Sequence, residues 1–211
     1  LKRGYSLQRT YALSKLESAM MPAIQVGLLV LVVTAPAFIF FSQKGPGAMH
    51  APWLISLAAG LVVGGLSQFS RLCTVGGFRD LFLFKKSILI FGYLAVLIGV
   101  FVVNISFGNF HLGFENQPIA HTDGLWNFLG MALAGFCSVL LGGCPLRQLI
   151  MTGEGNSDSA VTVLGLAAGA AFAHNFGLAA TGAGPTLNGE IAVGVGFVVA
   201  LIIAILNTKR A

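Results

Sequence analysis

Long apolar runs alternate with short polar segments along this chain. A helix needs roughly 20 mostly apolar residues to cross the hydrocarbon of a bilayer. Six runs come close to that length: Met20–Phe41, Trp53–Ser70, Ser87–Val103, Leu125–Gly143, Ser159–Ala180 and Ile191–Leu206. Backbone polar groups in lipid must be satisfied internally, which helices achieve. The pattern therefore predicts an all-α, polytopic membrane protein with about six transmembrane helices.

The fourth run ends in residues that interrupt a helix: Gly142, Gly143, Cys144 and Pro145. Proline cannot donate a backbone hydrogen bond, and it disfavours helical geometry at the residue before it. We therefore expect the helix to break and the backbone to open at Cys144. Open backbone inside a membrane survives only where it is buried in protein or faces a watery cavity, so the break predicts a functional site.

Composition agrees with a membrane protein, because 56% of the 211 residues are hydrophobic and only 9% are charged. A typical soluble domain has about a quarter of its residues charged. The formal net charge is +5, but the basic residues lie beside the apolar runs and form no basic face. We interpret them as topology signals, with no nucleic acid as a partner.

These basic residues also predict an orientation. Both termini become cytoplasmic when the following residues are placed on the inner side: Lys85, Lys86, Arg147, Lys209 and Arg210. The basic segment 1–19 is then expected to lie at the cytoplasmic membrane surface, with residues 20–211 forming the transmembrane domain. The chain would be a multi-pass protein of the cell membrane.

A repeat becomes visible when Cys73 is aligned with Cys144, 71 residues later. Each cysteine ends an apolar run and has a glycine nine positions earlier, Gly64 or Gly135. The repeat units span about 53–103 and 125–180, and under the predicted orientation they run parallel. Transporters commonly build their sites from interrupted helices at such repeat interfaces.

The residues near the two breaks favour an anionic ligand. Unpaired cations near a membrane interior, here Arg71 and Arg147, are costly enough to indicate a pathway or a ligand. Opened backbone amides form anion-binding concavities, and we expect them at Gly76, Gly77, Gly142 and Gly143. Few carboxylates lie nearby, so the ligand class is a small oxyanion.

Three further residues are candidates for the same pathway. Cys137 lies seven residues before Cys144, on roughly the same helix face, where it either lines the passage or packs in the core. His174 and Asn175 fall inside an apolar run and should face the bundle interior, as a structural hydrogen bond or as a proton relay.

The sequence lacks several motifs of metal, catalytic and nucleotide-binding sites, and their absence reduces the number of possible functions. The three cysteines do not have the paired spacing of a metal site. No phosphate-binding loop, Ser-His-Asp set or dinucleotide fingerprint is present in the sequence. We therefore expect neither an enzyme nor a bound cofactor.

Two stretches resemble a known family. They are Gly142-Gly-Cys-Pro-Leu-Arg-Gln-Leu-Ile with Gly153-Glu-Gly-Asn, and Ser70-Arg-Leu-Cys-Thr-Val-Gly-Gly-Phe-Arg-Asp80. Both resemble the YeeE/YedE family of bacterial inner-membrane proteins, closest to its YedE branch, and the chain resembles the C-terminal part of a member. The resemblance implies uptake of a small sulfur- or selenium-containing anion, such as thiosulfate. Cys73 and Cys144 would line its central pathway, and a TusA-like sulfur-carrier protein would be the cytoplasmic partner.

Three hypotheses follow from the residues and the resemblance together. The first is a transporter or channel that passes the anion along the cysteines. The second is a membrane thiol protein that relays sulfur or selenium by persulfide exchange to the TusA-like carrier. The third is a membrane scaffold, in which neither cysteine has a chemical role.

Overall fold

The structure, a computed structural model, describes residues 14–35, 50–113 and 121–207. These residues form eight helices: α1 Lys15–Thr34, α2 Trp53–Ser70, α3 Thr74–Phe84, α4 Ile88–Ser106, α5 Gly124–Leu141, α6 Pro145–Gly153, α7 Ser157–Asn175 and α8 Leu187–Asn207. Within these ranges the only β pairing is one isolated bridge, between Thr181 and Gly184. The prediction of an all-α fold is confirmed.

Four stretches within the described ranges are long and apolar enough to cross a membrane. They are Trp53–Phe84, which joins α2 and α3, then Ile88–Ser106, Gly124–Gly153, which joins α5 and α6, and Leu187–Asn207. At most 22% of the residues in any of these spans are buried within the chain, as expected of helices whose surfaces meet lipid. The chain is thus a polytopic membrane protein. The count of six spans stays a prediction, because α1 and α7 are not among the four.

Several predictions lie outside the described ranges. They concern residues 1–13 of the basic N-terminal segment, residues 36–41 of the first apolar run, and Lys209 and Arg210 at the end of the chain.

Helices break at both cysteine motifs, as predicted. The first break, Arg71–Cys73, separates α2 from α3, and the second, Gly142–Cys144, separates α5 from α6. Each break contains three residues and is followed by a short helix, which leads through another three-residue turn into a long helix.

The two halves around these breaks have the same plan. Helices α2 and α5 have 18 residues each, and α4 and α7 have 19 each. The short helices between them, α3 and α6, have 11 and 9 residues. This match of order and length is what the predicted repeat requires; the repeat units and their parallel sense stay predictions.

Packing between the halves is reciprocal. Each short helix packs against the long helix that follows it, α3 on α4 and α6 on α7. Each also contacts the first helix of the other half, α3 on α5 and α6 on α2, while α8 packs on α5. This cross-packing brings the two breaks to the same place.

Candidate functional site

The first break begins with a tight helix end. The amides of Arg71 and Leu72 donate to the carbonyls of Gln68 and Ser67, both at 3.2 Å. This pair of bonds is a Schellman motif, which requires a left-handed residue at its turn. Arg71 takes that conformation, with a φ of 51°, although a side chain there is strained.

The second break repeats this helix end. The amides of Gly142 and Gly143 donate to the carbonyls of Val139 and Ser138, both at 3.1 Å. Gly142 is left-handed, with a φ of 76°, and glycine adopts this conformation without a steric penalty.

Each cysteine then starts the next short helix as its N-cap residue. The carbonyl of Cys73 accepts from the amide of Gly77 at 2.8 Å, and that of Cys144 accepts from Gln148 at 3.0 Å. The sulfur of Cys73 also accepts from the amide of Gly76 at 3.2 Å. Pro145 fits the first position of α6, where its missing N–H would have had no helical partner.

The two thiols meet. The sulfur atoms of Cys73 and Cys144 lie close enough to interact, and the amide of Cys144 lies beside the sulfur of Cys73. Both residues are buried, at 8% and 7% exposure, and both are free cysteines. The prediction that two sulfhydryls converge at the ends of broken helices is confirmed.

Backbone donors from both short helices surround the sulfur of Cys144. The amides of Leu146 and Arg147 in α6 lie close to it, and so does the amide of Thr74, the first residue of α3. The N-termini of two helices therefore point at one pair of sulfur atoms. The aligned peptide dipoles give each N-terminus a partial positive charge of roughly half a unit.

The four predicted glycine amides are not free for a ligand, so the expectation of loose amides is wrong. Every one already donates within the chain: Gly76 to the sulfur of Cys73, Gly77 to its carbonyl, and Gly142 and Gly143 to the end of α5. The reason is that a helix end buried in protein needs its orphan groups capped locally.

The arginines near the breaks differ in their environment. Arg71 is exposed, and Arg79 pairs with the neighbouring Asp80 at 2.8 Å, with 51% of the Arg79 side chain exposed. Arg147 is only 20% exposed in its side chain, and its Nη1 lies 3.4 Å from Oε1 of Glu154. Of these three arginines, Arg147 is the one that lies beside the thiols and is mostly enclosed by protein.

Sequence reasoning missed the buried polar residues that support the breaks. Gln148 is 4% exposed, and its Nε2 donates to the carbonyl of Leu141 at 3.3 Å, which ties α6 back to α5. Ser67 and Ser138 are also buried, at 6% and 8% exposure. The signal was present, because the two serines have the same offset as Cys73 and Cys144.

The remaining candidates lie apart from the thiol pair. Cys137 is partly buried in α5, two helical turns before Cys144. His174 and Asn175 are exposed in the last turn of α7, and their place in a pathway stays a prediction. Asn175 donates to the carbonyl of Ala171 at 2.8 Å, because a side chain near a helix end finds an acceptor in its own backbone.

Two cavities lie near the ends of these helices. One of about 540 Å³ runs between α2 and α6, and its lining includes Gly60, Gly64, Gln68, Leu149 and Glu154. A second, of about 270 Å³, lies at the far end of α5, where His121, Asn127 and Glu190 contribute polar groups. In the ranges that the structure describes, no group of three or more His, Cys, Asp or Glu side chains could hold a metal ion.

A family model described as sulphur transport matches residues 69–208, which include both breaks and α3 to α8. A thiosulfate transporter of Escherichia coli (strain K12), TsuA, is 30% identical over 111 residues. That alignment covers 51% of this chain and 30% of the transporter, so the chain spans less than a third of this relative's length. No solved structure matches.

Proposed function

Because the chain belongs to the sulphur-transport family, we propose that it takes up a small sulfur-containing anion, or its selenium counterpart, across the bacterial inner membrane. Thiosulfate is the substrate we favour, since it is what the aligned relative carries by name. The observation that best supports the proposal is the contact between Cys73 and Cys144 at the N-termini of two half-helices.

The hydrogen bonds around the sulfurs favour an anion. The amide of Gly76 donates to the sulfur of Cys73, and further backbone amides lie close to the sulfur of Cys144. A hydrogen bond received by an S–H group polarises it, because chains of hydrogen bonds strengthen one another in a low dielectric. The thiol hydrogens then become better donors to an arriving anion, and the positive ends of α3 and α6 add to the attraction.

Thiols also allow the anion to be released from the site. An S–H group is a weak donor, and sulfur is polarizable, so the contacts with thiosulfate are individually weak. Conduction requires binding that is strong enough for entry and weak enough for exit. Cys73 and Cys144 form the centre of the pathway in this proposal, with Arg147 beside them and Cys137 further along α5.

The second candidate function is a sulfur relay, which the contact between two free thiols favours. A Cys144 thiolate would attack the outer sulfur of thiosulfate, forming a persulfide and releasing sulfite, with the thiol proton passing to water. A TusA-like carrier on the cytoplasmic side would then accept the sulfur through a thiolate of its own, which regenerates Cys144. If the protein is instead a transporter, the same carrier would be the partner that accepts the transported sulfur.

Uptake of radiolabelled thiosulfate into proteoliposomes tests the transport proposal. Cys73→Ala and Cys144→Ala should each abolish uptake without preventing membrane insertion. Cys137→Ala is the matched control, because it removes a thiol that lies two helical turns from Cys144, and it should retain uptake. Normal uptake by Cys144→Ala would contradict the proposal.

Mass spectrometry of the protein after turnover separates the two candidates. Transport leaves both cysteines unmodified. A substrate-derived sulfur on Cys144 that a thiol reductant removes would favour the relay instead.

A further inference from the structure

The guanidinium of Arg147 is directed away from the thiols by its ion pair with Glu154. Arg147 lies in the first turn of α6, and Glu154 is the residue that follows its last turn. Seven residues of helix rise by about 10 Å, yet Nη1 of Arg147 lies 3.4 Å from Oε1 of Glu154. The arginine side chain therefore extends along α6 toward its C-terminal end, and Cys144 lies at the other end.

This ion pair is incompletely bonded. Nη1 of Arg147 is buried and has no hydrogen-bond partner in the described part of the chain. The two side chains are 20% and 32% exposed. A partly buried ion pair is stabilising only when its geometry is good and its remaining donors are satisfied, so a better acceptor would compete for Arg147 effectively.

The thiols are within reach of Arg147 once it leaves Glu154. Its amide lies close to the sulfur of Cys144, and its Cβ and Cγ lie next to Gly143, which has no side chain to block the way. Long side chains on a helix normally lean toward its N-terminus, which here is the thiol end of α6.

We propose that Glu154 is an internal counter-anion that competes with the transported anion for Arg147 and thereby sets the affinity of the thiol site. This inference rests on the proposed function and adds a specificity-determining residue to it. An anion at Cys73 and Cys144 draws Arg147 from Glu154, and Glu154 takes the guanidinium back as the anion leaves. The carboxylate thus prevents the cation from retaining the substrate.

Replacement of the carboxylate by an amide tests the competition. In Glu154→Gln we expect the KM for thiosulfate uptake to fall roughly tenfold, a typical size for coupling between two ligands of one group, and the maximal rate to fall because release slows. The matched control is Asp80→Asn, which removes the carboxylate of the other ion pair near a break, with an arginine that is already exposed. Its KM should stay at the wild-type value.

A second measurement reports the position of the cation without substrate. Methanethiosulfonate reagents of opposite charge are reacted with the inserted protein, and labelling of Cys144 is read by peptide mass spectrometry. Glu154→Gln should raise the ratio of anionic to cationic labelling rates severalfold, and Asp80→Asn should not. Glu154→Asp, which shortens the side chain that carries the carboxylate, should shift the ratio in the same direction by less. It replaces Glu154→Gln in this test if the glutamine variant does not insert.

The outcomes distinguish the two proposals. An unchanged labelling ratio together with an unchanged KM in an inserted Glu154 variant overturns the role of Glu154, whatever the transport activity of the wild type. A wild-type protein that takes up no thiosulfate contradicts the proposed function, whereas the labelling ratio still decides whether Glu154 controls Arg147.

Discussion

Ser67 and Ser138 occupy equivalent places in the two helix ends that precede the cysteines. Each serine is buried, and each carbonyl accepts the amide of the residue just before the cysteine, Leu72 in one case and Gly143 in the other. The two halves of the chain thus end a helix in the same way before the cysteine. The left-handed residue of this helix end differs between the copies, and is Arg71 in the first and Gly142 in the second.

We expect Gly142→Ala to destabilise the protein. The backbone at residue 142 has a φ of 76°, and a left-handed residue with a Cβ costs about 1–2 kcal/mol. Thermal unfolding in detergent should show a lowered midpoint. Gly135→Ala is the control, because residue 135 lies inside α5 with open space around its Cβ position, and it should leave the midpoint unchanged or raise it.

Arg71→Gly should have the opposite effect. Glycine relieves the left-handed strain at residue 71, although it also increases the freedom of the unfolded chain, so a net gain of about 0.5 kcal/mol is expected. The same thermal measurement checks it. A fall in the midpoint would show that the Arg71 side chain contributes more to stability than its backbone strain removes.

Gln148→Leu should weaken the link between α5 and α6. The substitution keeps the size of the side chain but leaves the partly buried carbonyl of Leu141 without the donor it has now, and the loss of such a hydrogen bond costs about 1 kcal/mol. A lowered unfolding midpoint is expected. Leu149→Ala is the adjacent control, since Leu149 is 54% exposed, and its effect should be smaller.

Oxidation should join Cys73 to Cys144. Their sulfur atoms already lie close together, so diamide, which accepts the two electrons and two protons released, should form a disulfide between the two halves. Peptide mass spectrometry identifies the bond, and thiosulfate uptake should stop until a reductant is added. Cys137→Ala, which should retain uptake, is the control and should be blocked by diamide in the same way. If Cys137→Ala resists diamide, or if the linked peptide of the wild type involves Cys137, the contact between Cys73 and Cys144 is not the cause.

Local signals in the sequence were enough to predict the breaks and the thiol pair. Gly142 and Pro145 limit the backbone wherever they occur, so the end of α5 and the start of α6 could be placed without tertiary information. The recurrence of a cysteine after an apolar run then predicted that two such ends would meet.

The partners of individual polar groups could not be predicted in the same way. The glycine amides donate to acceptors within the helix caps, and these bonds depend on the turn geometry. Arg147 pairs with Glu154 only because α6 is nine residues long. His174 was expected inside because histidine in lipid is costly, but α7 ends within one residue of it.

The reciprocal contacts of α3 with α5 and of α6 with α2 have a consequence for biogenesis. As the chain is synthesised, the first half enters the bilayer with Cys73 still lacking the amide and thiol that Cys144 later supplies. The proposed binding centre therefore forms only after the second half has been inserted and has docked across the first. A nascent chain halted before residue 144 would lack one of the two thiols of this proposed centre.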